Sequence, residues 1–113
     1  MNDHQTLTFD FEVTDDGPLV RCRGRLTSAV SATFHSEVKR LIPQASRITI
    51  DLTDVSFMDS MGLGTICTLY VSAKTAGCQL QVVNLTPRVR ELFSVTHLLS
   101  LFEPCGESNI PIP

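Results

Sequence analysis

The chain has 113 residues and a formal net charge of -3, with 12 acidic residues against 9 basic ones and four cysteines. A chain of this length makes one domain that buries roughly two-thirds of its unfolded surface, so it needs no covalent staples to fold. Its basic residues are scattered, which leaves no electrostatic footprint for nucleic acid, and no apolar run approaches the ~20 residues that span a membrane.

Cys22, Cys67, Cys78 and Cys105 lie far apart, with no CxxC pair and no Cys/His cluster of metal spacing. The first three fall inside apolar-patterned segments and read as reduced core thiols; Cys105 falls in the tail and is expected at the surface. The start, MNDHQTLTFD, lacks the basic and apolar regions of a secretory leader. The expectation is a single soluble, cytoplasmic domain over 1–113.

Leu7, Phe9, Phe11 and Val13 alternate with polar residues, which predicts a half-buried strand, and Asp15-Asp16-Gly17-Pro18 turns the chain into a second strand from Leu19 to Gly24. The period then changes. Val30, Phe34, Val38 and Leu41 recur at helical spacing behind Ser28, placed at the N-cap, and Pro43 closes this first helix. Ile48, Ile50 and Leu52 restore strand alternation from Arg47, and a loop over Thr53 to Asp59 leads to Ser60. Beyond it Leu63, Ile66, Cys67, Tyr70 and Ala73 line one face of a second helix, with Gly77 as its left-handed terminator. Gln79 to Asn84 is the next strand. Thr86-Pro87 is a cap followed by proline at the first helical position, and Val89, Leu92 and Phe93 give a third helix its apolar face. Leu98 to Glu103 reads as a last short strand, and 104–113, with three prolines, as an extended or flexible tail. A hairpin followed by strand-helix alternation predicts an α/β fold, a mixed sheet of four or five strands with helices mainly on one side.

Chemistry concentrates at the start of the second helix. A serine at Ser60 has two readings. Its hydroxyl caps the helix by bonding the amide of Gly62 or Leu63, worth about 1 kcal/mol, or it is held out for a partner to modify. Gly62 and Gly64 each cost about 1 kcal/mol of helix propensity relative to alanine, and bare backbone in the first turn would let a partner or nucleotide come close. Ser56 and Thr65 are weaker candidates. No positioned base serves a serine nucleophile: His4, His35 and His97 have no recognisable spacing. Position 67 is cysteine, so Gly62-Leu63-Gly64 does not complete a dinucleotide fingerprint. Asp51, Asp54 and Asp59 read individually as a strand-end acid, a turn acid and a cap neighbour rather than as a cation site. No catalytic residue, metal or cofactor is expected.

The unit DLTDVSFMDSMGLG resembles the signature of the STAS domain, most closely in its stand-alone bacterial anti-anti-sigma factors: an acid ending a strand (Asp51), a buried aromatic in a short loop (Phe57), then Asp59-Ser60-x-Gly62-Leu63-Gly64 opening a helix. The Gly77 turn, Thr86-Pro87-x-Val89 and Leu92-Phe93 through Phe102-Glu103 fall at family-like intervals, so the resemblance covers about 7–103. It implies a STAS-type fold and a protein that binds an anti-sigma factor with a histidine-kinase-like ATPase fold, is phosphorylated by it on Ser60, and is restored by a PP2C-type phosphatase. Asp59, Met61, Gly62, Leu63, Gly64 and Thr27 would meet the partner, while Asp51 and Phe57 shape the site. Where the family often has Gly-Glu-Leu-Asp, this chain has Gly24-Arg25-Leu26-Thr27, so Thr27 takes the place of an acid implicated in partner recognition. Two other uses of the fold remain open: a constitutive scaffold subunit of an ABC-type lipid transporter or signalling assembly, and a nucleotide-binding module.

Overall fold

The structure, a computed structural model, describes residues 7–95 and 109–111. Strands β1 (Leu7–Thr14) and β2 (Gly17–Leu26) form the expected antiparallel hairpin, joined at Asp15 and Asp16. Helix α1 (Ser28–Lys39) and a 3-10 turn (Ile42–Gln44) lead to β3 (Arg47–Met58), which lies parallel to β2. Helix α2 (Ser60–Thr75) then leads to β4 (Gln79–Val83), parallel to β3, and α3 (Pro87–Val95) follows. A short β5 (Asn109–Pro111) closes the edge antiparallel to β4, so the order is β1-β2-β3-β4-β5. This is the mixed α/β sheet read from the sequence. The predicted strand Leu98 to Glu103 lies outside the described residues. Within the stretch read as an extended tail, Asn109–Pro111 is extended and hydrogen-bonded to the sheet.

One face of the sheet is apolar and the other polar, which determines where the helices go. Val20 and Cys22 of β2, Ile48, Ile50 and Leu52 of β3, and Leu80 and Val82 of β4 are buried in a single cluster. That cluster also takes Phe34 and Val38 from α1, Leu63, Ile66, Leu69 and Ala73 from α2, and Val89 and Phe93 from α3. Between the buried strand positions Arg21 and Arg23 are exposed, and Thr49, Asp51 and Gln81 are half-buried. The hairpin departs from expectation at its tip. Phe9 packs edge-on against Phe34, with ring centroids 5.3 Å apart, but Phe11 and Val13 are exposed because the helical layer reaches only as far as Phe9.

The helix ends follow local chemistry. Gly77 has φ +78°; the Cys78 amide donates to the Ala73 carbonyl at 2.8 Å and the Gly77 amide to Lys74 at 3.2 Å, the paired bonds of a Schellman termination. Thr86 Oγ1 donates to the Val55 carbonyl and accepts from the Val89 amide, tying the start of α3 to β3. At α1, however, Ser28 is the first helical residue; Thr27 stands at the N-cap with no side-chain bond to the helix.

Strand β3 is longer than the sequence reading, running through Met58 instead of yielding to a loop after Leu52. Its register against β2 slips between Arg21 and Arg23, so Thr53 and Asp54 are both exposed and strict alternation is lost. Asp51 holds this irregularity. Its Oδ1 accepts from the Thr53 amide at 2.9 Å, from the Thr53 hydroxyl, and from Asn84 Nδ2 at 3.2 Å. Burial opposes the carboxylate, but these bonds and the Arg21 charge outweigh it and hold Asp51 below its ordinary pKa. Burial, with Asp51 second, pushes the Cys22 thiol up to about 12, and burial also raises Cys67 and Cys78. These thiols stay protonated at neutral pH, as core residues do.

A carboxyl whose folded pKa is depressed stabilises above its unfolded value, near about 3.9, and loses that contribution as pH falls through the folded value. Asp51→Asn is therefore expected to lower the urea midpoint at pH 7, and the gap from the parent to narrow progressively below about pH 4.

Candidate functional site at the start of helix α2

The parallel pairing of β2 with β3 brings two helix starts together, because Leu26 lies opposite Met58 at the strand ends and each strand passes directly into a helix. Asp59 joins them. Its amide donates to the Leu26 carbonyl at 3.3 Å; its Oδ1 accepts from the Gly62 amide at 2.9 Å, and its Oδ2 accepts from the Ser28 amide at 3.2 Å. One carboxylate thus caps its own helix and supplies α1 with the side-chain acceptor that Thr27 does not. A negative charge between two helix N-termini is also favoured by both dipoles, typically by about 0.3–1 kcal/mol each.

This arrangement decides the reading of Ser60. The cap is Asp59, not Ser60, which is the first helical residue. The Ser60 side chain is exposed and its hydroxyl makes no hydrogen bond among the described residues. The first intrahelical bond runs from the Leu63 amide to the Asp59 carbonyl at 3.0 Å. Ser60 and Met61 therefore contribute helix-start amides with no acceptor inside the helix.

The neighbours expected to meet a partner divide into two groups. Met61 is 57% exposed, and a side chain added at Gly64 would meet open space; Val71, 60% exposed, extends this surface along α2. Gly62 and Leu63 are buried. A Cβ on Gly62 would lie 2.3 Å from the Leu26 carbonyl oxygen, with Leu26 Cγ at 2.9 Å and Met58 Cγ at 3.0 Å. The expectation that Gly62 opens the helix to a partner is corrected: its missing side chain is used internally, where α2 passes over the end of β2. Thr27 is half-buried beside Asp59's contact with Ser28.

Asp51 touches neither Asp59 nor Ser60; its bonds go to Thr53 and Asn84. Phe57 is half-buried and lies on β3 rather than buried in a loop. Its ring is flanked by two guanidinium groups, Arg25 Cζ at 4.4 Å and Arg88 Cζ at 5.7 Å from the centroid. Among the described residues no three His, Cys, Asp or Glu side chains gather as metal ligands. His35 lies on α1 and makes no hydrogen bond to Ser60, while His4 and His97 lie outside the described residues. No helix among the described residues is long and apolar enough to cross a membrane.

The order of elements and the Asp-Ser helix start agree with a known family: the model of the STAS domain matches residues 8–109. The chain belongs to the STAS domain family. It is 26% identical over 103 residues to the anti-sigma-B factor antagonist of Bacillus subtilis, an alignment that covers 91% of this chain and 94% of that protein. Among solved structures, an anti-sigma factor antagonist from Mycobacterium paratuberculosis shares the fold with a TM-score of 0.76 at 21% identity, covering 85% of this chain and 82% of the other. The unphosphorylated form of the anti-sigma factor antagonist SpoIIAA gives a TM-score of 0.70 at 24% identity, covering 80% and 82%. The STAS fold is thereby shown.

Two features of this STAS domain were not read from its sequence. Asp59 and Ser60 are both good capping residues, and the sequence alone did not identify the α1 amide that engages Asp59. The Arg25-Phe57-Arg88 stack joins residues from three elements, and its only local trace is an arginine beside each strand or helix end. The two glycines give a direct test. Gly62→Ala is expected to destabilise the domain by about 1–3 kcal/mol through overpacking, whereas Gly64→Ala should be neutral or stabilising by up to about 1 kcal/mol, both measured by urea unfolding.

Proposed function

We propose that this STAS domain is an anti-sigma factor antagonist, switched by phosphorylation of Ser60. In its unphosphorylated form it binds an anti-sigma factor and so releases a sigma factor. The anti-sigma factor, an ATPase of the histidine-kinase-like fold, transfers a phosphoryl group to Ser60 and frees itself, and a PP2C-type phosphatase reverses the change. The domain acts by binding and has no reaction of its own.

The observation that carries the reading is the exposed Ser60 hydroxyl, left without an internal partner because Asp59 caps both helices. The similarity to anti-sigma factor antagonists supports it. A phosphoryl group adds about -1.5 to -2 charge at neutral pH. At the first residue of α2 it would lie near unbonded amides and the positive end of the dipole, so the fold tolerates it. The partner interface would not. Met61, Gly64 and Val71 form a small exposed face next to the serine, and a dianion at its edge imposes bulk, desolvation and repulsion of any acidic surface opposite.

Incubation with the cognate anti-sigma kinase and ATP, followed by mass spectrometry, is expected to place phosphate on Ser60. Label at another residue, or none with an active kinase, contradicts the assignment. Ser60→Asp is expected to weaken binding of the anti-sigma factor by at least about 1–3 kcal/mol in a calorimetric titration.

A further inference from the structure

A groove beside the Ser60 site is not used by the switch. It lies between the end of β3 and α3, has a volume of about 250 Å³, and is lined by Phe57, Met58, Arg88, Glu91, Leu92 and Val95. That volume falls below the range of about 300–1,000 Å³ usual for small-molecule pockets, but it can admit a single large apolar side chain. Its far end is apolar, with Val95 65% exposed. Its near end carries the Phe57 ring with Arg25 and Arg88 against it.

The charge at that end is unbalanced. The ion pairs among the described residues are Arg21 with Glu12 and Arg40 with Glu37, and neither Arg25 nor Arg88 takes part in one. In a chain of net charge -3, two guanidinium groups with no ion-pair partner among the described residues converge on one ring. Stacking on the ring holds each guanidinium in place, so a carboxylate that bonds it meets a group already oriented. Glu91 lines the same groove and repels acid from its own side, which gives the groove a direction: anion toward Phe57, apolar side chain toward Leu92 and Val95.

We propose that this groove docks a short segment of a partner protein in which carboxylates adjoin a large apolar residue on the side that meets Phe57. The proposal rests on the reading of the domain as a partner-binding module and not on phosphorylation of Ser60. It gives the partner a second point of attachment immediately beyond Met58 and Asp59.

Nuclear magnetic resonance titration of the whole chain, labelled with nitrogen-15, tests it with two capped hexapeptides: leucine-phenylalanine flanked on each side by two glutamates, and the same pair flanked by lysines. The acidic peptide is expected to shift the amides of Phe57, Arg88, Leu92 and Val95 saturably, with affinity that falls as salt is raised. Arg88→Glu, at an exposed position, should retain a dispersed spectrum and weaken binding by at least about threefold, and Ser60→Ala should leave the shifts unchanged, separating this surface from the switch. Equal shifts with the lysine peptide, shifts elsewhere, or no shifts overturn the proposal. Shifts of the same amides on concentrating the protein alone overturn it in favour of a second copy of this chain.

Discussion

The geometry of this domain depends on one carboxylate shared between two helices. Parallel strands β2 and β3 end side by side and each must turn at once into a helix, so two sets of unsatisfied amides face the same small volume. Asp59 meets both, with one oxygen on Gly62 and the other on Ser28, while its own amide holds the Leu26 carbonyl. Loss of that side chain would leave two helix starts uncapped, whereas an ordinary cap leaves one.

Gly62 follows from the same constraint. For Asp59 to reach Ser28, the first turn of α2 must lie against the end of β2, and the Leu26 carbonyl then occupies the space of a Cβ at position 62. Ser60 is the residue that the arrangement releases. Placed next to a cap that is already complete, its hydroxyl makes no hydrogen bond among the described residues.

Much of the fold was legible because most elements obey local rules that tertiary contacts did not override. Alternation gave the hairpin and β4, helical spacing gave Phe34 and Val38 on α1 and Leu63, Ile66 and Ala73 on α2, and Gly77 and Thr86-Pro87 punctuated the chain as their chemistry requires. The departures have physical causes. The end of β3 lacks strand alternation because a register slip exposes Thr53 and Asp54 in succession. Phe11 and Val13 fit the inward pattern of β1 but extend past the helices that would cover them. At the site, the sequence drew attention to Ser60, as cap or modified serine, and to Asp59 as its neighbour; the structure moves the cap to Asp59, a choice between adjacent capping residues that requires knowing that α1 begins beside them. The role of Gly62 and the two arginines on Phe57 depend on contacts between distant segments and leave no periodic trace.

The central claim, that Asp59 rather than Ser60 carries the structural load at this helix start, is tested most directly by urea unfolding of two single variants. Asp59→Ala is expected to cost about 2 kcal/mol or more, since two helix starts lose their acceptor, and Ser60→Ala to remain within about 0.5 kcal/mol of the parent. A loss of about 1 kcal/mol or more in Ser60→Ala, with Asp59→Ala near the parent, would return the cap to the serine and contradict the account.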